Sequence, residues 1–417
     1  MLNIKFYSLS INYCELNKFI QLLVLCSILL SSCSQNKDIK TNYVEVIPVG
    51  EALDKEDEVY LSDYAKSIKY IKLESNPSCL ISKHIDKLMI RDSILIISDR
   101  KSIFLFTIQG KFIKKLGNQG KGPSEYSQVT DFTISQDGNT IIVYDWNQKK
   151  IIRYDIAGDF LGEFSITGYP ALLNTYGENI LAAYVFPDYY FNDFYTFAEI
   201  SQKGEILGKY LKREEDDRLV DEKSVLSLPT TSRVSFEFMN DTLTYWETSL
   251  NIVYKIDQNQ ISARFFFDYD GKYDDNTVLE DQIKSNNTLI SFGLFHEVKN
   301  CIFLLSGLYN NKNYNILYDK NTKKIFNMKF DHSDLNFQIK SGFINDIDGG
   351  YPFLPFGVIS ENKVYCYFYP YMLQNKMKDE IFENIKIKNP SQRERLNEIL
   401  NASKEQDNPI IMIAEFK

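Results

Sequence analysis

Residues able to do chemistry are sparse in this 417-residue chain and do not converge in sequence. The three histidines, His84, His296 and His332, lie far apart, and with scattered cysteines they supply no ligand cluster for zinc. His296 is followed by Glu297, but Val298, Lys299 and Asn300 do not complete the HExxH helix of a zinc protease. A GxSxG nucleophile elbow is absent. Asp268-Tyr269-Asp270-Gly271, with Asp274 and Asp275, lacks the EF-hand spacing and reads as a solvated acidic turn. No metal and no cofactor are expected. The densest chemical signal is aromatic. Phe186–Tyr195 sets six rings among Asp188, Asn192 and Asp193 around Pro187, a composition suited to stacking a glycan or gripping a peptide. Tyr189, Tyr190 and Tyr195 are the preferred contacts, since a tyrosine both stacks and hydrogen-bonds. Tyr351–Phe356, with Phe353 as its candidate contact, is a second such loop.

The elements that must position these residues repeat. Ser98–Gly117 and Tyr144–Phe164 each read as a strand, a glycine turn and a second strand; Gly110, Gly158 and Gly204 follow one another at 48 and 46 residues. A period of 40–50 residues built from short strands is the signature of a β-propeller. The expected blades run through Leu88–Leu116, Val129–Phe164 with Asp137-Gly138 as a hairpin, Ala171–Tyr210, Val234–Phe267 with Gln258-Asn259 as the turn, Leu289–Phe330 with Asn321-Thr322, and from Gly357 through Lys363–Tyr369. Met377–Lys404 lacks strand character; Pro390 followed by Leu396, Ile399 and Leu400 predicts a short amphipathic helix there. A final strand, Ile410–Phe416, and a lone early one, Ile68–Leu73, predict closure of the ring by both termini in one blade, leaving no open seam. The expected fold is thus all-β, six antiparallel four-stranded blades with a helical insertion in the last.

Phe19–Leu30 is an uncharged run of 12 residues behind Lys18, too short to span a bilayer and laid out like a signal peptide. It ends in Leu30-Ser31-Ser32-Cys33, which resembles the bacterial lipobox and would make Cys33 the acylated first mature residue. The expected organisation is a signal peptide over 1–32, a polar tether over 33–60 and the propeller over 61–417. Net charge of −9, with no basic stripe, argues against nucleic acid. Cys79, Cys301 and Cys366 remain in the mature chain; a Cys301–Cys366 disulfide is one expectation for an oxidising compartment, two buried thiols the other.

Gly117-Asn118-Gln119-Gly120-Lys121-Gly122-Pro123-Ser124-Glu125-Tyr126 fails the phosphate-loop template, since Gly122 and Pro123 follow Lys121 and no helix pattern comes next. It reads as a crossing between blades, with Gly117, Gly120, Gly122 and Pro123 shaping the turn and Glu125 and Tyr126 tying it to the neighbouring blade. This loop, the D-x(5)-I-x-x-[YF] blade repeat and the helix-NP-strand ending resemble the six-bladed, NHL-like β-propeller lipoproteins of Bacteroidota. The resemblance covers about residues 64–417. It implies a lipid-anchored protein of the cell envelope, at the outer membrane in preference to the inner, facing either periplasm or surface. Asp92-Ser93-Ile94 and Asp241-Thr242-Leu243 also resemble the O-glycosylation signal of that group, though each serves equally as a turn entering a strand. The expected function is a non-catalytic binding module for a protein, peptide or glycan. The alternative is a lyase or hydrolase whose residues converge on the central channel.

Overall fold

The structure, a computed structural model, describes residues 44–82, 84–184, 195–212, 234–239, 242–247, 251–257, 260–270, 292–309, 312–329, 341–376 and 385–417. Met1–Asn36 and Lys37–Lys417 are separate units, and all described residues belong to the second. Six antiparallel sheets of the meander type follow one another along it. Their innermost strands are Lys87–Arg91, Asp131–Ile134, Leu172–Tyr176, Val234–Met239, Leu294–Glu297 and Gly357–Ser360, in blades 1 to 6. These strands neighbour one another in ring order, and blade 6 returns to blade 1.

The core explains why the blades stand in a ring. Buried apolar residues form six clusters, each at one junction between blades. Alternation along a strand sends successive side chains to opposite faces. Ile96 therefore packs with Phe132, Val143 and Ile152 of blade 2, while Leu95 and Ile97 pack with Tyr365 and Ile411 of blade 6. With both faces apolar, each sheet needs a neighbour on either side, and only a closed ring supplies that.

Closure is as expected. Ala65–Lys72 pairs antiparallel with Ile410–Phe416 as the outermost strand of blade 6. The repeating glycines also have a structural reason. Gly110, Gly158 and Gly204 sit at φ of 86°, 87° and 87°, each closing a four-residue turn by donating to Thr107, Asp155 and Ser201. A Cβ at Gly110 would lie 2.1 Å from the Lys72 carbonyl, and one at Gly204 would lie 2.8 Å from the Phe164 ring. Each turn thus presses on the outer strand of the preceding blade, where only glycine fits.

Three expectations are corrected. The segment before residue 61 is no loose tether: Glu45–Ile47 adds in parallel to the outer strand of blade 4. Val49–Ala52 is a buried 3-10 turn, and Asp57 bridges to Met328 of blade 5. Ile47, Val49 and Ala52 are fully buried, so burial of apolar surface holds this strap down. The helical region begins before Met377, with helices at Pro370–Lys376 and Pro390–Asn401; residues 377–384 lie outside the described ones. Asn389 caps the second helix by accepting from the Gln392 amide, and Leu396 and Leu400 join the blade 5–6 core. Last, Cys79, Cys301 and Cys366 are free, buried thiols. Burial pushes the Cys301 and Cys366 thiols well above their ordinary range.

Candidate functional site

In a meander blade the first and third turns lie at one end of the sheet and the second turn and blade-to-blade crossings at the other. Here the first end carries only tight turns, none longer than five residues between strands. The opposite end carries every long connection, the longest running from 369 to 409. The sequence-predicted contacts belong to that long-connection end. Tyr195 opens the third strand of blade 3, partly exposed, with the Lys209 ammonium 5.9 Å from its ring centroid. Tyr189 and Tyr190 lie outside the described residues. Phe353 is corrected: it is fully buried, its ring 6.4 Å from that of Phe343, and Tyr351 stacks at 4.8 Å on Phe368. Pro352 and Pro355 make the run look like a loop, but the backbone of Phe353 pairs with Phe343 and its side chain fills the blade 5–6 core.

A pair not foreseen stands at the same end. Trp146, in the turn after Tyr144-Asp145, lies 4.9 Å from Tyr169 between ring centroids, and the Lys149 ammonium sits 3.8 Å from the Tyr169 ring. Both rings are half-buried. The available signal was a tryptophan placed in a turn slot rather than on a strand. Tyr369 and Tyr371, stacked at 6.0 Å, add a second aromatic pair there, with Tyr371 exposed.

The glycine-rich loop proves structural. Asn118–Gln119 and Glu125–Tyr126 pair in parallel. The Glu125 carboxylate accepts from the Gly122 amide at 2.8 Å, and a Cβ at Gly120 would meet that carboxylate at 2.0 Å. Tyr126 ties the loop to its own blade, donating to the Leu116 carbonyl at 2.6 Å while burial pushes its phenol up to about 12. The neighbouring blade supplies the other grip: Tyr154 donates to the Ser124 carbonyl, and Lys150 to the Gly122 carbonyl and the Glu163 carboxylate. The loop is therefore held by both blades, with Glu125 bracing it internally. Pro123 lies between the Gly122 and Ser124 anchor points.

The central channel is lined at one level by Met89, Thr133, Asn174, Glu237, His296 and Val358, matched by register in each blade. His296 Nδ1 lies 2.7 Å from the Glu237 carboxylate, and its buried Nε2 has no partner. Asn174 donates to the Phe236 carbonyl and takes the Thr133 hydroxyl. Toward the long-connection end, Asp131 bonds Lys87 of blade 1 at 2.8 Å and the Leu173 amide of blade 3 at 2.7 Å. The charged groups are thus paired between adjacent blades rather than aimed at one point. At the tight-turn end the channel opens into a cavity of about 1160 Å³, walled by Arg91, Gln136, Tyr176, Phe238 and Glu361 among others. Its Glu199 is already held by Asn179 and Tyr210. Among the described residues no group of acidic, histidine or cysteine side chains could hold a metal ion.

None of the curated proteins matches the chain. Among solved structures, a candidate exported protein of Bacteroides fragilis, BF0058, is similar over 90% of this chain and 99% of its own, with a TM-score of 0.65 at 18% identity. A DUF4221 family member from Bacteroides vulgatus is similar over 87% of this chain and 99% of its own, with a TM-score of 0.45 at 13% identity. The model of the DUF4934 family, a domain of unknown function, matches residues 44–415, which reach from the strap on blade 4 to the closing strand. The chain belongs to the DUF4934 family.

Proposed function

We propose that this protein is an exported, lipid-anchored propeller that binds a protein, peptide or glycan without transforming it, using its long-connection end. The observation that carries the reading is the asymmetry of the two ends: tight turns at one, long connections with the half-exposed rings of Trp146, Tyr169 and Tyr195 at the other. Loops on a rigid scaffold are where binding residues concentrate, and Tyr and Trp give contact area at low entropy cost. Export is supported by similarity in fold to BF0058 and by the lipobox at Cys33. No helix among the described residues is long and apolar enough to cross a membrane, so a lipid on Cys33 would supply the attachment. Metabolic labelling with a palmitate analogue should mark the protein and lose the mark in Cys33→Ala; an unchanged signal would refute the anchor.

Binding is tested by capture from envelope extract and by a glycan array. The triple variant Trp146→Ala, Tyr169→Ala, Tyr195→Ala should lose at least tenfold in capture, while its thermal midpoint moves little because the rings are only half-buried. Equal loss of midpoint and capture would show the rings to be core.

One observation favours an enzyme instead: His296, oriented by Glu237 and carrying an unpartnered Nε2, is the arrangement a lyase or hydrolase uses for a general base. On that reading His296→Ala abolishes turnover of a captured ligand; on ours the captured ligand is recovered intact from the unaltered protein.

A further inference from the structure

The N-terminal strap covers the outer edges of half the ring. Glu45–Ile47 covers blade 4, Lys55–Asp57 bonds the outer strand of blade 5 through Asn327, and Ala65–Lys72 is the edge of blade 6. Blades 1, 2 and 3 keep bare outer strands. At the start of each, just after the turn glycine, stand Ile113, Phe160-Leu161 and Ile206-Leu207. These are five of the nine large apolar side chains exposed among the described residues, Leu161 at 52% and Leu207 at 53%. They occupy one structural position repeated in three successive blades, all at the tight-turn end. Lysines 111, 115 and 203 lie exposed around them, with Asp159 and Glu205.

The chain itself indicates what covers this rim. Glu45–Ile47 runs parallel to the outer strand of blade 4, hence from the tight-turn end toward the other. The polypeptide upstream of Val44 therefore enters from the tight-turn side, on the blade next to blade 3. Cys33 precedes Val44 by eleven residues, a reach of at most about 40 Å when fully extended. A domain of this length is about 50 Å across. A lipid on Cys33 thus keeps the tight-turn end close to the bilayer.

We infer that the tight-turn rim of blades 1–3, centred on Ile113, Leu161 and Leu207, docks on the surface of the membrane that holds the anchor. Apolar side chains enter the interface, and the flanking lysines lie among the headgroups. The long-connection end then faces away from the bilayer, free to meet its partner. This rests on the reading of Cys33 as a lipid site, and the experiment separates the two.

The chain from Cys33 onward, which retains every described residue, is coupled through the Cys33 thiol to a maleimide lipid in phosphatidylethanolamine/phosphatidylglycerol vesicles. The buried Cys79, Cys301 and Cys366 do not compete. Leu161→Trp and Tyr371→Trp place reporters at the two ends. Bromine-labelled acyl chains should quench the added Leu161→Trp emission at least twofold and leave that of Tyr371→Trp unchanged. An unquenched Leu161→Trp, or equal quenching at both ends, overturns the proposal. Without the coupled lipid, Ile113→Asp, Leu161→Asp and Leu207→Asp together should lower vesicle co-sedimentation about tenfold. A dimer in analytical ultracentrifugation that these substitutions dissociate would assign the rim to a second copy and overturn it as well. Loss of palmitate labelling at Cys33 in cells, with docking of the chemically anchored protein intact, would refute the lipid reading alone.

Discussion

Replacing Gly110 by alanine is expected to cost about 3 kcal/mol or more in denaturant unfolding, whereas Gly177→Ala costs about 1 kcal/mol. Both glycines have positive φ, 86° and 59°, so both substitutions incur left-handed strain of roughly 1–2 kcal/mol. They differ in what the new methyl group meets. At Gly177 nothing lies within 4 Å; at Gly110 the Lys72 carbonyl would be 2.1 Å away. That carbonyl belongs to the strand supplied by the N-terminal region to blade 6, so the chain must yield where the ring closes. Gly204→Ala should fall between, because its Cβ would meet the Phe164 ring at 2.8 Å and the Ser165 carbonyl at 3.0 Å, one of which is a side chain able to shift. Gly110→Ala costing no more than Gly177→Ala would mean that the glycine repeat reflects turn conformation alone, and not the approach of one blade to the next.

That repeat is also why the architecture was legible. The turn needs positive φ and the previous blade leaves no room, so glycine recurs wherever the geometry recurs. Asp99 and Asp145 repeat for a similar reason. Each accepts from amides of its own turn and from a serine amide, Ser82 or Ser127, in the preceding crossing. Blade 6 was readable from its terminal strands because an unpaired strand at each end of a propeller has one natural partner. The strap was missed although Val44, Val46 and Ile47 form an apolar run, because a three-residue strand between charged residues gives no periodicity to detect. Phe353 was misplaced because proline on either side of an aromatic reads equally as a loop and as irregular backbone inside a core; only the contacts with Phe343 separate the two. The channel ring was invisible for another reason. Glu237 and His296 stand 59 residues apart, and their meeting depends on the register of two different blades. Blade-level periodicity locates strands, and says nothing of which side chain on one inner strand faces which on the next.

Removing either cation beside Glu297 is expected to destabilise the protein far more than neutralising Glu297 itself. The Glu297 carboxylate is 2% exposed and accepts from Arg264 of blade 4 at 2.7 Å and Lys320 of blade 5 at 2.8 Å. Burial nevertheless holds its pKa above the ordinary range, outweighing both cations. A carboxyl raised in the folded state contributes stability that is full below the unfolded pKa and is lost as pH rises through the folded one. At neutral pH the ionised group is therefore tolerated rather than stabilising, and Glu297→Gln should change the unfolding free energy by no more than about 1 kcal/mol. Arg264→Met and Lys320→Met keep most of the stem but leave the buried charge with one partner, and each should cost about 3 kcal/mol near neutral pH. Their loss should shrink as pH falls toward 5, because the carboxyl, pushed higher still, takes up a proton and the missing partner ceases to matter. Denaturant melts of the three variants between pH 5 and 8 decide the point. A deficit in Lys320→Met that is independent of pH would show that Lys320 acts through packing, and a large loss in Glu297→Gln would show that the two cations depend on the carboxylate more than it depends on them.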